Sequence, residues 1–198
     1  LFTDSQRYDT IARAGYPRMV TPHLDRLAAE GRLYTHAMSS NPQCMPARMD
    51  MLCGVTGKYH GYNTNGGHPI RDYGIPTLPR IFSDHHYRTA GIGKMHFRPE
   101  RTHHGFDHIE FMEDIPVCLP NDDYAMGLKR EGLGHIQNIH GIRSFVYHEP
   151  QKALMDEVHH GSTWVADRAI RWLQDNGDYP FFLMCSWLHP HPPIAIPD

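Results

Sequence analysis

The chain has 198 residues, the length of one domain or part of one, and enough to bury most of its apolar surface. Its 19 Lys and Arg against 22 Asp and Glu leave a net charge of −3, which excludes the basic balance that binding to phosphate backbones requires. The longest apolar run, Phe181 to Leu188, is broken by Ser186 and far too short for a bilayer, so no segment reads as transmembrane.

The cysteines at 44, 53, 118 and 185 form no CxxC pair, which argues against a disulfide scaffold or a structural zinc site. Histidine is the outlier at 17 residues, so mild acidification swings the charge positive. The chain opens at Leu1 with no charged-then-apolar leader; any signal peptide would lie before it, and localisation is not read.

Leu1-Phe2-Thr3-Asp4 reads as the end of a buried strand that finishes on a carboxylate. Thr21-Pro22 starts a helix with Leu24, Leu27 and Ala28 on one face and Gly31 as its stop. A second helix is predicted from Pro46 to about Leu52, with Cys44 just before its first turn and Gly54 and Gly57 breaking the pattern after it. Thr77 to His86 reads as helix, and Arg88 to Lys94 as a short strand. From about 98 to 151 no period is sustained, and the His, Gly, Asp and Pro content predicts long loops that shape a pocket rather than a second domain. Ser162 is expected to cap a helix with Val165, Ala166, Ala169, Ile170 and Leu173 on one face, ending near Gly177. Phe181 to Trp187 then has the apolar run of a covered parallel strand, and the strand-helix alternation predicts an α/β sandwich.

Asn41-Pro42-Gln43-Cys44-Met45-Pro46-Ala47-Arg48 puts a thiol at the mouth of a helix whose fourth residue onward is an arginine. Free N–H groups and a guanidinium fork converge there, which makes an anion site; a buried cysteine before an ordinary proline-started helix fits these residues equally well. The histidine pairs 85–86, 103–104 and 159–160 point to different sides of any element, His135 and His140 lack the His-x3-His spacing, and no HExxH occurs. A transition-metal site built from them is not expected.

Cys44-x-Pro46-x-Arg48, with Leu52 and Gly54 at further fixed spacing, resembles the signature of the sulfatase family, in which a separate enzyme oxidises the cysteine to formylglycine. Thr3 to Asp9 is similar to that family's first metal-binding strand end, and Thr21 to Gly31 to its first helix. Gly93-Lys94-Met95-His96 resembles its Lys-x-His sulfate clamp, and Pro180 to Leu183 followed by Pro190-His191-Pro192-Pro193 resembles its strand ending in an active-site histidine. The resemblance implies an alkaline-phosphatase-like α/β/α sandwich with a mostly parallel central sheet, truncated here: residues 1–198 as the amino-terminal part of one catalytic domain, with 98–151 as its loop-rich insertion.

By the same resemblance the activity is hydrolysis of a small-molecule or sugar sulfate monoester, with Cys44, Arg48, Lys94, His96 and His191 as catalytic residues and a formylglycine-generating enzyme as partner. A sulfate ester disperses charge onto its oxygens in the transition state, so fixed cations, a metal and a proton donor suit it. An aldehyde hydrate at position 44 offers one oxygen to attack sulfur and a second to expel sulfate, a step that a thiol cannot perform. The implied metal is Ca²⁺, with Mn²⁺ or Mg²⁺ as alternatives, held by Asp4 and formylglycine 44; Ser5 stands where many relatives carry a second carboxylate or amide, which makes Gln6 a further candidate ligand. Asn65 lies where choline sulfatases and phosphonate monoester hydrolases place a substrate-binding asparagine, and His60-Gly61 reads as structural. The family's later metal pair and second lysine have no counterpart before Asp198, so the 198 residues alone are expected to turn over sulfate esters poorly or not at all. The alternatives are a phosphonate or phosphate ester hydrolase on the same scaffold and a non-catalytic anion- or partner-binding module.

Overall fold

The computed structural model describes residues 1–198 apart from 17, 67–73, 117 and 146–148. In chain order it has β1 (Phe2–Thr3), α1 (Pro22–Glu30), α2 (Cys44–Cys53), α3 (Gly57–His60), α4 (Leu78–Asp84), β2 (Arg88–Gly93), β3 (His108–Phe111), α5 (Asp123–Arg130), β4 (Gln151–Lys152), α6 (Gly161–Asn176), β5 (Phe181–Trp187) and β6 (Ala195–Ile196). The main sheet runs β1-β5-β2-β3 with every pair parallel, and β4 pairs with β6 in a separate parallel ribbon.

Alternation along the strands sorts side chains into two layers. Ala90, Ile92, Cys185 and Met112 pack with Val165, Ala169 and Trp172 of α6 and with Tyr124 and Leu128 of α5. Met184, Ile109 and Phe111 face the other way, onto Met45, Met49 and Leu52 of α2. Helices on both faces of a parallel sheet make the α/β/α sandwich that the alternation of elements predicts.

The boundaries differ in instructive ways. Cys44 is the first residue of α2 rather than the residue before it. Helix α6 begins at Gly161 with His160 as its cap, the ring Nδ1 accepting from Ser162 N at 3.2 Å, so Ser162 sits in the first turn instead. Its buried stripe is Val165, Ala169 and Trp172; Ile170 and Leu173, expected on that face, are exposed. Leu24 and Ala28 of α1 are half-buried, while Leu27 is exposed.

The stretch from 98 to 151 is not all loop, because it supplies strand β3 of the main sheet and helix α5. Both are short, and polar groups mask their pattern: Glu110 in β3 pairs with Arg168 of α6, and Gly127 interrupts α5 behind its Asp122 cap, which accepts from Ala125 N at 2.7 Å. Among the described residues no helix is long and apolar enough to cross a membrane, and all four cysteines are free.

Gly93 closes β2 with a φ of +103°, and a Cβ there would lie 2.0 Å from the Ser186 carbonyl oxygen of β5. Both the dihedral and the backbone contact demand glycine. Gly93→Ala is therefore expected to destabilise the fold by about 3 kcal/mol or more, read as a lowered urea midpoint at unchanged m-value.

Candidate active site

Strand β5 lies between β1 and β2, and its Ser186 is level with Phe2 on one side and Gly93 on the other. The next turns of chain therefore bring Asp4 and Lys94 out beside the carboxyl end of β5, where α/β sheets gather their ligands. Lys94 Nζ lies 2.8 Å from Asp4 Oδ2, and Arg48 of α2 reaches the same oxygen at 3.0 Å. Arg48 also donates to Ser186 Oγ at 3.0 Å and to the Lys94 carbonyl, with its guanidinium 4.7 Å from the centre of the Phe2 ring. Asp4, Arg48 and Lys94 are all buried.

Cys44 is one helical turn before Arg48, so both project from one face of α2. Its Sγ is 3.7 Å from Asp4 Oδ1, which also accepts from Ser5 Oγ at 3.1 Å. Burial and the Asp4 charge push the thiol pKa up against the opposing pull of Lys94 and Arg48, so at neutral pH it is a protonated and poor nucleophile. Asp4 moves the other way. Burial alone would raise its pKa, but Lys94 and Arg48 outweigh that and hold the carboxyl well below the usual carboxylate range.

His191 follows β5, and its ligand atom lies within 4.8 Å of those of Asp4 and Cys44. Its Nδ1 is 2.6 Å from the Pro192 carbonyl, which can only accept, so Nδ1 carries the N–H and Nε2 is left to exchange a proton. His189 turns away, with Nδ1 3.1 Å from Ser162 Oγ and its ring against His160.

His96 sits at a φ of +55° with a buried, unpartnered Nδ1. Burial, reinforced by Lys94, Arg48 and Arg98, lowers its pKa to about 4. At neutral pH it is a hydrogen-bonding group rather than a cation. That narrows the expectation that His96 adds a cation.

Two other residues singled out in the sequence have neighbours of their own. The Gln6 Oε1 accepts from Thr3 Oγ1 at 2.8 Å. Asn65 Oδ1 accepts from Met45 N at 3.0 Å, and Asn65 N donates to Gln43 Oε1 at 3.0 Å, so this residue caps the first turn of α2 from 20 positions away. His60 is structural: Nδ1 accepts from Tyr62 N at 3.2 Å and Nε2 faces Asp50 Oδ1 at 2.5 Å, while Ser40 bonds the other Asp50 oxygen. Ser186 was not singled out by sequence reasoning. A serine at the end of an otherwise apolar strand was the signal available.

Asp4, Cys44 and His191 are the sole group of this kind among the described residues that could hold a metal ion. A Ca²⁺ ion takes six to eight oxygen ligands, and this group offers one carboxylate, already engaged by two cations. The described residues do not complete a Ca²⁺ site. Added Ca²⁺ is accordingly expected to move the melting temperature of the 198-residue chain by less than about 1 °C, whereas a rise of about 5 °C or more would show a complete oxygen set.

Asp4→Asn leaves Arg48 and Lys94 buried without a counter-charge and is expected to cost about 3 kcal/mol at pH 7. Because the folded pKa of Asp4 is depressed, its contribution is full above the unfolded value of 3.8 and is lost as pH falls below it. In urea titrations without metal, the gap between wild type and Asp4→Asn should narrow as pH drops from 5 to about 2.

The profile of the family described as Sulfatase matches residues 1–198. The arylsulfatase of Clostridium perfringens is 30% identical over 214 residues, covering all of this chain and 44% of that protein. Among solved structures, the phosphonate monoester hydrolase of Agrobacterium radiobacter aligns over all of this chain and 41% of its own, with a TM-score of 0.78 at 21% identity. A protein solved in complex with its substrate D-glucosamine-2-N,6-O-disulfate aligns over 96% of this chain and 33% of its own, with a TM-score of 0.68 at 23% identity. These structures show the fold, an alkaline-phosphatase-like sandwich with a parallel central sheet, and the chain spans less than half the length of each of these proteins. A match that runs from the first residue to the last, over a sheet edge that gathers Asp4, Cys44, Arg48, Lys94 and His191, places this chain in the sulfatase family.

Proposed function

We propose that this chain provides the nucleophile and anion-binding part of a sulfate monoester hydrolase, with Cys44 converted to formylglycine by a formylglycine-generating enzyme. One observation carries the reading: beside Cys44, at the start of a helix, the buried cations Arg48 and Lys94 meet on one oxygen of Asp4. An anion at that point gains from Lys94, from the N-terminal end of α2 and from the neutral ring of His96 as a hydrogen-bond donor. Formylglycine hydrate supplies the attacking oxygen and the second hydroxyl that releases sulfate. Arg48 orients Asp4 and the Lys94 backbone, and the Nε2 of His191, once it has taken up a proton, is the group that would pass it to the leaving alcohol. The family depends in general on a divalent metal; Asp4 and formylglycine 44, with Gln6 as a further candidate, are the residues of this chain that would contribute to holding Ca²⁺, or Mn²⁺ or Mg²⁺ in its place.

The substrate class is a small-molecule or sugar sulfate ester, supported by the arylsulfatase relative and by the sulfated amino sugar bound by the second structural neighbour. Asn65 contributes to this site first by holding α2, and a contact with substrate would use its remaining amide hydrogens. A phosphonate or phosphate ester hydrolase is the second reading, favoured by the TM-score of 0.78 with a phosphonate monoester hydrolase. The Lys94-x-His96 pair tilts the balance toward sulfate.

Three measurements test this. The intact mass of the Cys44 peptide, after co-expression with a modifying enzyme, should show the thiol replaced by an aldehyde; thiol alone would overturn the reading. Matched aryl sulfate and aryl phosphonate substrates should favour sulfate, assayed on the 198-residue chain and on a form extended at its carboxyl end, with turnover confined to the extended form. In that form Lys94→Ala is expected to lower kcat/KM by about 10²- to 10³-fold, the usual loss when one preorganised donor to developing charge is removed.

A further inference from the structure

We infer that Glu113 is the positioning residue for the Lys94–His96 turn, a role that rests on the sulfate ester reading of the site. Strand β3 ends at Phe111, and Met112 N still pairs with the Gly93 carbonyl of β2 at 3.1 Å. One residue later the Glu113 side chain folds back across the end of β2. Its Oε1 accepts from both Met95 N, at 3.0 Å, and His96 N, at 2.7 Å. These are the two amides that follow Lys94, so one oxygen fixes the backbone that carries both basic side chains.

Glu113 is itself held rigidly. Its N–H donates to Asp122 Oδ2 at 2.6 Å, and its carbonyl accepts from His140 Nε2 at 3.0 Å. Asp122 in turn caps α5, so the turn bearing Lys94 and His96 is tied through Glu113 to the helix on the other side of β3. The need for such a brace is visible at His96, whose φ of +55° is a left-handed conformation that a non-glycine residue keeps only when its surroundings over-determine it. Two hydrogen bonds from a buried side chain to consecutive amides supply that determination. The hydrogen bonds of the Glu113 side chain are to backbone amides and not to Cys44, Asp4 or His191, so it acts through the turn. Burial pushes its carboxyl up to about 7 against the pull of those amides and of Arg48 and Lys94. A protonated carboxyl and a carboxylate both leave Oε1 able to accept, and so does a glutamine.

That equivalence provides the test. Glu113→Gln and Glu113→Ala are compared with wild type by three readouts: the backbone amide resonances of Met95 and His96, the affinity for inorganic sulfate, and kcat and KM for an aryl sulfate in the form that turns over. Glu113→Ala should move both amide resonances upfield, weaken sulfate binding by about 10-fold or more and lower kcat further than it raises KM, since a displaced turn costs the transition state most. Glu113→Gln should keep the amide shifts and stay within about threefold of wild type, because its carbonyl oxygen replaces Oε1. In the double variant with His96→Ala, removing Glu113 should cost less than it does alone, the non-additivity expected of groups acting as one unit. If Glu113→Ala does not fold, Glu113→Asp, one methylene too short to reach both amides, takes its place. Sulfate binding and kinetics within twofold of wild type in the alanine or aspartate variant, or equal damage from glutamine, would overturn the inference. If wild type neither binds sulfate nor hydrolyses sulfate esters, the functional reading fails, while the amide shifts still decide whether Glu113 holds the turn.

Discussion

A single carboxylate, that of Asp4, lies between two buried cations, and the architecture around it follows from keeping that arrangement intact. Two charges of one sign without a partner cannot remain in a protein interior, so Asp4 must be delivered to Arg48 and Lys94 wherever they stand. Arg48 comes from a helix on one face of the sheet, Lys94 from the end of β2 and Asp4 from the end of β1, with Ser186 of β5 between them. The parallel sheet provides the geometry, since its carboxyl edge collects strand ends that are remote in sequence. Because both cations meet on Asp4, the cluster is held together beside Cys44.

Helix α2 is braced at several points along its length, and each brace serves the residue at its start. Asn65 and Gln43 close the first turn, Arg48 ties the second to three strand ends, and Asp50 is held by His60 and Ser40. Met45, Met49 and Leu52 press the same helix onto Met184 and Phe111 of the sheet. The position of Cys44 is thereby determined by contacts spread along the whole of α2.

Much of this could be read from the sequence, and what could not be read shares a physical cause. The Cys44-Arg48 spacing, the Pro22 start of α1 and the apolar run of β5 are local patterns, with periods of one helical turn or two strand residues, and the structure repeats them. His191, expected in the site from its place after β5, lies near Asp4 and Cys44. The capping of α2 by Asn65, the Arg48–Ser186 bond and the brace from Glu113 join residues 20, 138 and about 17 positions apart, and no local period records such pairs. Strand β3 escaped notice because four residues, one of them a glutamate paired across to α6, are too few to show an alternation. A histidine as the cap of α6 was missed for another reason: serine two positions later is the more usual cap, and only the ring orientation of His160 displaces it.

The pairing of β1 with β5 also sets an order of events. Phe2 is hydrogen-bonded in register with Ser186, so almost the entire chain separates two strands that lie side by side. Contacts so remote in sequence form late, because the entropy of closing the loop must be met before they can contribute. During synthesis, when the amino terminus emerges first, β1 waits without its neighbour until β5 has been made. Asp4 reaches Arg48 and Lys94 only when β1 has found its place beside β5, so assembly of this charge cluster and the pairing of these two strands are one event.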